Sequence, residues 1–179
     1  LSLLKEVRKN NPEAYIAYKT HPDVLSGNRS GKVENTELMK YCDQIVVNNN
    51  ITDCLSQVDE VHTMTSLVGF EGLLRGLTVY CYGIPFYSGW GLTIDRHKCE
   101  RRARILSIDE LVAGTLIKYP LYMNWETRRF TTPEQVTDAI YNCLKQQPHE
   151  QHSMNNPTIL KKIKKRINLV KAMLNPKLK

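Results

Sequence analysis

The chain has 179 residues, 41% of them apolar, and carries 25 Lys and Arg against 18 Asp and Glu, which is enough to bury a core and too apolar for a disordered tail. No apolar run approaches the ~20 residues of a spanning helix, no signal-peptide pattern opens the chain, and the length predicts one domain, or one and a fraction, in the cytoplasm. The net charge of +7 points to nucleic acid only until it is divided: residues 157–179 hold eight basic residues and no acid, leaving residues 1–156 at −1.

Leu3, Leu4 and Val7 fall at helical spacing in residues 1–10, and Asn11-Pro12 ends that pattern. Neither an initiator Met nor an N-cap precedes it, so the chain reads as a piece of something longer. Short apolar runs follow at residues 14–18, 44–47, 61–64 and 78–82, rich in β-branched or aromatic residues and unalternated, as strands buried on both faces are. Helical stretches at 34–41, 51–57 and 67–75 separate them, the last closed by Gly76. Strand and helix alternate, which predicts an α/β fold: a Rossmann-like parallel sheet flanked by helices, with ligands at the carboxyl ends of the strands.

After Thr93 the character changes. Arg96, His97, Lys98, Arg101, Arg102 and Arg104 form a basic loop, followed by a helix at 108–118 capped by Ser107 and ended by Tyr119-Pro120. Thr132-Pro133-Glu134 opens another helix reaching about residue 145. A polar linker at 146–156 then leads to a helix at 158–174 with Ile159, Ile163, Ile167, Val170 and Leu174 on one face. The five cysteines, Cys42, Cys54, Cys81, Cys99 and Cys143, are scattered without a CxxC pair and read as reduced, mostly buried thiols. No metal-ligand spacing, Gly-rich dinucleotide fingerprint or GxxxxGK[ST] loop occurs, so no metal or dissociable cofactor is expected.

Three segments are candidates for chemistry. Lys19-Thr20-His21-Pro22-Asp23 ends the first strand, where His21, held by Pro22, presents an imidazole to a phosphate, unless it is only a surface residue of a turn. Thr65 and Ser66 end the third strand and open a helix, so their hydroxyls and the first free N–H groups converge on one anion seat. Glu71 sits about 7 Å further along the axis, roughly the span from a nucleotide phosphate to its ribose hydroxyls. The alternative is that Thr65 and Ser66 merely cap and Glu71 is solvated. Gly69 and Gly72 weaken this helix by ~1 kcal/mol each against Ala, so something approaches closely there. The third segment, residues 82–95, places Gly83, Pro85 and Trp90 in an aromatic loop suited to a sugar or a base, or else in a loop that only packs. His62, inside a strand, reads as core, and His97, His149 and His152 as solvated.

Together these segments, above all Pro85-Phe86-Tyr87-Ser88-Gly89-Trp90-Gly91-Leu92-Thr93, resemble the bacterial capsule polysaccharide biosynthesis and export family, whose members are β-Kdo glycosyltransferases of the KpsC type. The resemblance covers residues 12–145. It implies a two-domain GT-B architecture in which residues 1–147 form the C-terminal, CMP-sugar-binding domain and residues 148–179 a linker and basic amphipathic helix. It implies that His21 acts as the catalytic group at the CMP phosphate, with Lys19, Pro22, Thr65, Ser66, Glu71, Gly83, Pro85 and Trp90 around the donor. The donor is CMP-β-Kdo, transferred with retention to a phosphatidylglycerol-linked glycolipid acceptor, and other capsule synthesis and export proteins are partners. The domain supplying the acceptor site and a catalytic carboxylate is not in this chain, which alone is expected to bind CMP and transfer nothing.

Two rival readings rest on charge. Lys161, Lys162, Lys164, Lys165, Arg166 and Lys171 suit an anionic membrane surface, making the chain a non-catalytic assembly module or a peripheral inner-membrane protein; the competing account packs the apolar face on a partner domain. Nucleic acid ranks last, because outside the tail the charge is −1 and only the loop 96–104 concentrates basic residues. That loop meets an anionic acceptor, or is simply solvated.

Overall fold

The computed structural model describes residues 1–20, 33–47 and 49–145. His21, Pro22, the linker and the basic C-terminal helix lie outside the described residues.

Contacts divide the chain into two compact units, Leu1–Tyr119 and Pro120–Lys179. In the first, α1 (Ser2–Asn10), β1 (Ala17–Lys19), α2 (Asn35–Leu38), β2 (Gln44–Val46), α3 (Ile51–Leu55), β3 (Glu60–Thr63), α4 (Leu67–Leu73), β4 (Thr78–Cys81), β5 (Ile94–Asp95) and α5 (Ile108–Val112) follow one another. Among the described residues every strand pair in this unit is parallel: β1 with β2, β3 with β4, and β4 with β5. The α/β fold with parallel strands flanked by helices is therefore as the alternation predicts. Among the described residues the ladder falls into two hydrogen-bonded groups, β1-β2 and β3-β4-β5, rather than one sheet.

Each group has its own apolar cluster. Leu4, Leu38 and Cys42 gather beside β1-β2. Leu55, Val61, Phe70, Val79, Cys81, Tyr87 and Leu111 form the larger cluster beside β3-β4-β5. Along β3 and β4 burial alternates, with Val61, Thr63, Val79 and Cys81 inward. The other face is half-covered: His62 stacks on Tyr80 at 4.4 Å with its Nδ1 3.1 Å from the Tyr82 hydroxyl, so its imidazole packs against aromatic rings.

Helix α4 lies on the inward face, and its two glycines are the reason it can lie so close. A Cβ on Gly72 would stand 3.2 Å from Val61 and 3.3 Å from Val79, and one on Gly69 would stand 2.7 Å from Tyr87 Cζ. The close approach inferred from those weak helix formers is thus real.

Three features escape the sequence reading. Strand β5 lies within what reads as loop, because two residues give no periodicity to detect. The helix expected at 108–118 begins as α5 behind a full Ser107–Glu110 capping box and then widens into a π-helical turn, Ala113–Lys118, where the Tyr119 N–H donates to Gly114 O at 3.0 Å. In the second unit, β6 (Tyr122–Met123) and β7 (Phe130–Thr131) pair antiparallel ahead of α6 (Pro133–Lys145). The Asn124 side chain closes their turn by accepting from the Glu126 and Thr127 N–H groups, both at 2.9 Å.

Candidate functional site

The carboxyl ends of parallel strands carry outward-pointing N–H and C=O groups that the ladder no longer uses, and here those ends bring the second and third segments together. Past β3 and β4 the pairing continues for two more rungs: the Tyr82 N–H donates to Thr63 O at 2.9 Å and the Gly83 N–H to Met64 O at 3.2 Å. A Cβ on Gly83 would stand 2.8 Å from Met64 O and 3.0 Å from Thr65 Cγ2. Only glycine lets the two loops run this close, so Gly83 positions Thr65 rather than contacting a ligand through a side chain.

Ser66 is the N-cap of α4. Its Oγ accepts from the Val68 N–H at 3.3 Å, and its own N–H donates to Thr63 Oγ1 at 3.2 Å. A hydroxyl that accepts in this way keeps its own proton to donate. Thr65 is exposed beside it, at the mouth of the same turn. Glu71 is half-buried five residues on from Ser66, and its backbone carbonyl accepts from Arg75 Nη1 at 2.8 Å. Capping and anion binding are thus compatible uses of this one turn.

The aromatic loop is packed more tightly than a free binding loop. Tyr87 is fully buried, its hydroxyl donates to Ser66 O, and burial drives its phenol pKa well above the ordinary range. Pro85 is buried with it. Trp90 Nε1 donates to Phe86 O at 2.8 Å, which satisfies the indole inside the loop itself. Asp95 accepts from the Gly89 N–H and from Thr93 Oγ1, both at 2.7 Å. Arg102 reaches in from the basic loop: its Nη1 donates to Pro85 O at 2.6 Å and Ser88 O at 2.8 Å, and the guanidinium stands over the Trp90 ring at 5.5 Å. Pro85 is thus buried within the loop and the Trp90 N–H is bonded inside it, while Phe86 and Ile84 stay exposed.

Lys19 ends β1, and its Nζ donates to Val47 O at 2.9 Å, next to the Thr20 N–H, which donates to Val46 O at 3.1 Å. The chain therefore enters residue 21 from the carboxyl end of β1; His21 and Pro22 themselves are outside the described residues. Tyr87 and Arg102, which organise this edge, are not singled out by the sequence, and Asp95 reads there only as a loop boundary near the crevice; nothing in the run Arg101-Arg102-Ala103-Arg104 marks which arginine turns inward.

The model of the family described as capsule polysaccharide biosynthesis protein matches residues 1–122. This chain belongs to that family. The capsule polysaccharide modification protein LipA of Neisseria meningitidis serogroup B is 51% identical over 140 residues, which is 78% of this chain and 20% of LipA. The lipopolysaccharide-processing protein LpsZ of Rhizobium meliloti is 43% identical over 120 residues, 67% of this chain and 27% of that protein. Two solved structures share the fold, both of Thermosulfurimonas dismutans KpsC: a β-Kdo 2,7 transferase (TM-score 0.70, 45% identity, 79% of this chain and 45% of that one) and a β-Kdo 2,4 transferase (TM-score 0.66, 34% identity, 78% and 43%). The chain thus spans less than half of those structures and about a fifth of LipA. The resemblance read from residues 12–145 holds, and the two solved structures this chain is similar to are described as β-Kdo transferases.

Proposed function

We propose that this chain is the nucleotide-sugar-binding half of a glycosyltransferase that moves Kdo from CMP-β-Kdo to a lipid-linked acceptor during capsule polysaccharide biosynthesis. The observation that carries the reading is the turn from Thr65 to Val68, open at the carboxyl edge of parallel strands in a chain whose solved relatives are described as Kdo transferases. The partial coverage of those relatives supports a second domain, supplying the acceptor site and a catalytic carboxylate.

The chemistry asked of this half is modest. The leaving group is the phosphate of CMP, and charge grows on its oxygens as the glycosidic bond breaks. Fixed donors aimed at that point lower the barrier most, because they need no reorganisation when the charge arrives. In this chain the donors are the Thr65 and Ser66 hydroxyls and the N–H groups opening α4; His21, entering from the end of β1, adds an imidazole N–H. Glu71, further along α4, accepts from the ribose. Such a site works without a metal ion.

Calorimetric titration of the chain with CMP, UMP and AMP tests the reading. CMP binding that exceeds UMP and AMP supports it, and equal heats for all three, or none, refute it.

A further inference from the structure

A hollow of about 620 Å³ lies under the basic loop, at the carboxyl end of β5, lined among others by Asp95, Arg96, His97, Lys98, Glu100 and Arg102. Two acids line it as well: Asp95, which keeps its charge while accepting from the Gly89 N–H and the Thr93 hydroxyl, and Glu100, which is exposed. Of its cations, Arg96 pairs with Glu6 on α1. Lys98 is exposed and, among the described residues, has no carboxylate partner.

Arg102 differs from every other arginine at this edge. It is half-buried and forms no ion pair with any described carboxylate. Its Nη1 is fixed by the carbonyls of Pro85 and Ser88 and lies 3.2 Å from Ser88 Oγ, and its plane is steadied by Trp90, yet Nε and Nη2 bond no described residue. A guanidinium partly removed from water is costly to leave without an anion. One that is held rigid by one nitrogen and has its remaining donors unused is preorganised for the parallel two-oxygen grip that arginine offers a carboxylate or phosphate.

We infer that this hollow is an oxyanion seat, separate from the turn at Thr65 and Ser66, in which Arg102 grips a carboxylate or phosphate and Lys98 and His97 close over it. Its position at the end of β5 suits the carboxylate of a sugar acid or the phosphate of an anionic acceptor. Naming a substrate group as the occupant rests on the transferase reading above; the seat itself does not.

Titration of the chain with the sodium salt of Kdo and, separately, with inorganic phosphate tests this at low salt, where such contacts are least screened. The wild-type chain binds at least one of the two, and which one identifies the source of the anion. Lys98→Glu, at an exposed position that leaves the fold intact, weakens that binding at least tenfold, and Arg102→Lys, which keeps the charge and loses the fork, weakens it as well while its melting curve reports whether the loop stays closed. CMP affinity stays within twofold in Lys98→Glu. Uptake of neither anion, or wild-type affinity in Lys98→Glu, overturns the seat, and a parallel loss of CMP affinity overturns its separateness. Anion binding without CMP binding leaves the seat standing and removes the donor reading.

Discussion

Gly69 shows how one absent methyl group links the candidate turn to the loop beneath it. Replacing it with Ala adds ~1 kcal/mol of helix propensity, but the new Cβ stands 2.7 Å from Tyr87 Cζ. Tyr87 is fully buried and tied by its hydroxyl to Ser66 O, so it cannot withdraw. Overpacking costs ~1–3 kcal/mol and wins. Gly69→Ala is therefore expected to lower the urea midpoint by the equivalent of about 1 kcal/mol with an unchanged slope; a raised midpoint would show that the ring yields. Ser66→Ala removes the cap of α4 and costs ~1 kcal/mol by the same assay. If the proposed role of His21 is right, His21→Ala in the full-length enzyme lowers kcat at least tenfold, about 1.4 kcal/mol of barrier, and unchanged kinetics would take His21 out of the site.

At the scale of elements, one carboxylate ties α1 to the residues that lead into β1 and β2. Asp43 accepts from the Ile16 N–H at 2.7 Å and from Arg8 Nη2 at 2.5 Å, and the same arginine donates to Ala14 O at 2.8 Å. The Ile16 N–H first, and then Arg8, hold the Asp43 carboxyl below its ordinary value of 3.8. A depressed carboxylate stabilises the fold above its unfolded pKa, and that contribution is lost as pH falls through the lower folded one. Asp43→Asn is expected to melt earlier than wild type at pH 7, with the gap closing as the pH falls below the ordinary carboxylate value of 3.8; a constant gap across that range would assign the loss to packing. Helix α5 uses a carboxylate similarly. Glu110 accepts from the Ser107 N–H at 2.9 Å while Ser107 Oγ accepts from the Glu110 N–H at 3.2 Å, and the first of these holds the Glu110 pKa down. Ser107→Ala removes one half of that box.

For the whole molecule, the cysteines report where the cores lie. Cys42 and Cys81 are buried, and Cys143 is exposed on α6. Burial, followed by the Asp95 charge, pushes the Cys81 thiol up to about 11, and burial also raises Cys42. Since the thiolate is the reactive form, iodoacetamide at pH 8 is expected to modify Cys143 in the native chain and to reach Cys42 and Cys81 only in denaturant. Rapid native labelling of Cys81 would contradict the packing of β4 against α4. Among the described residues no helix is long and apolar enough to cross a membrane.

The sequence by itself determined the α/β alternation, the places of β1 to β4, the capping roles of Ser66 and Ser107 and the family, because each rests on neighbours within one turn or one strand, or on a run as distinctive as residues 85–93. Only the tertiary structure decided that the Trp90 N–H and the Pro85 carbonyl are bonded within this edge, that Gly83 spaces Thr65, and that Arg102, of three neighbouring arginines, turns inward. Those outcomes depend on which carbonyls and rings arrive from segments fourteen to twenty-one residues away, and no local pattern encodes the distance between them.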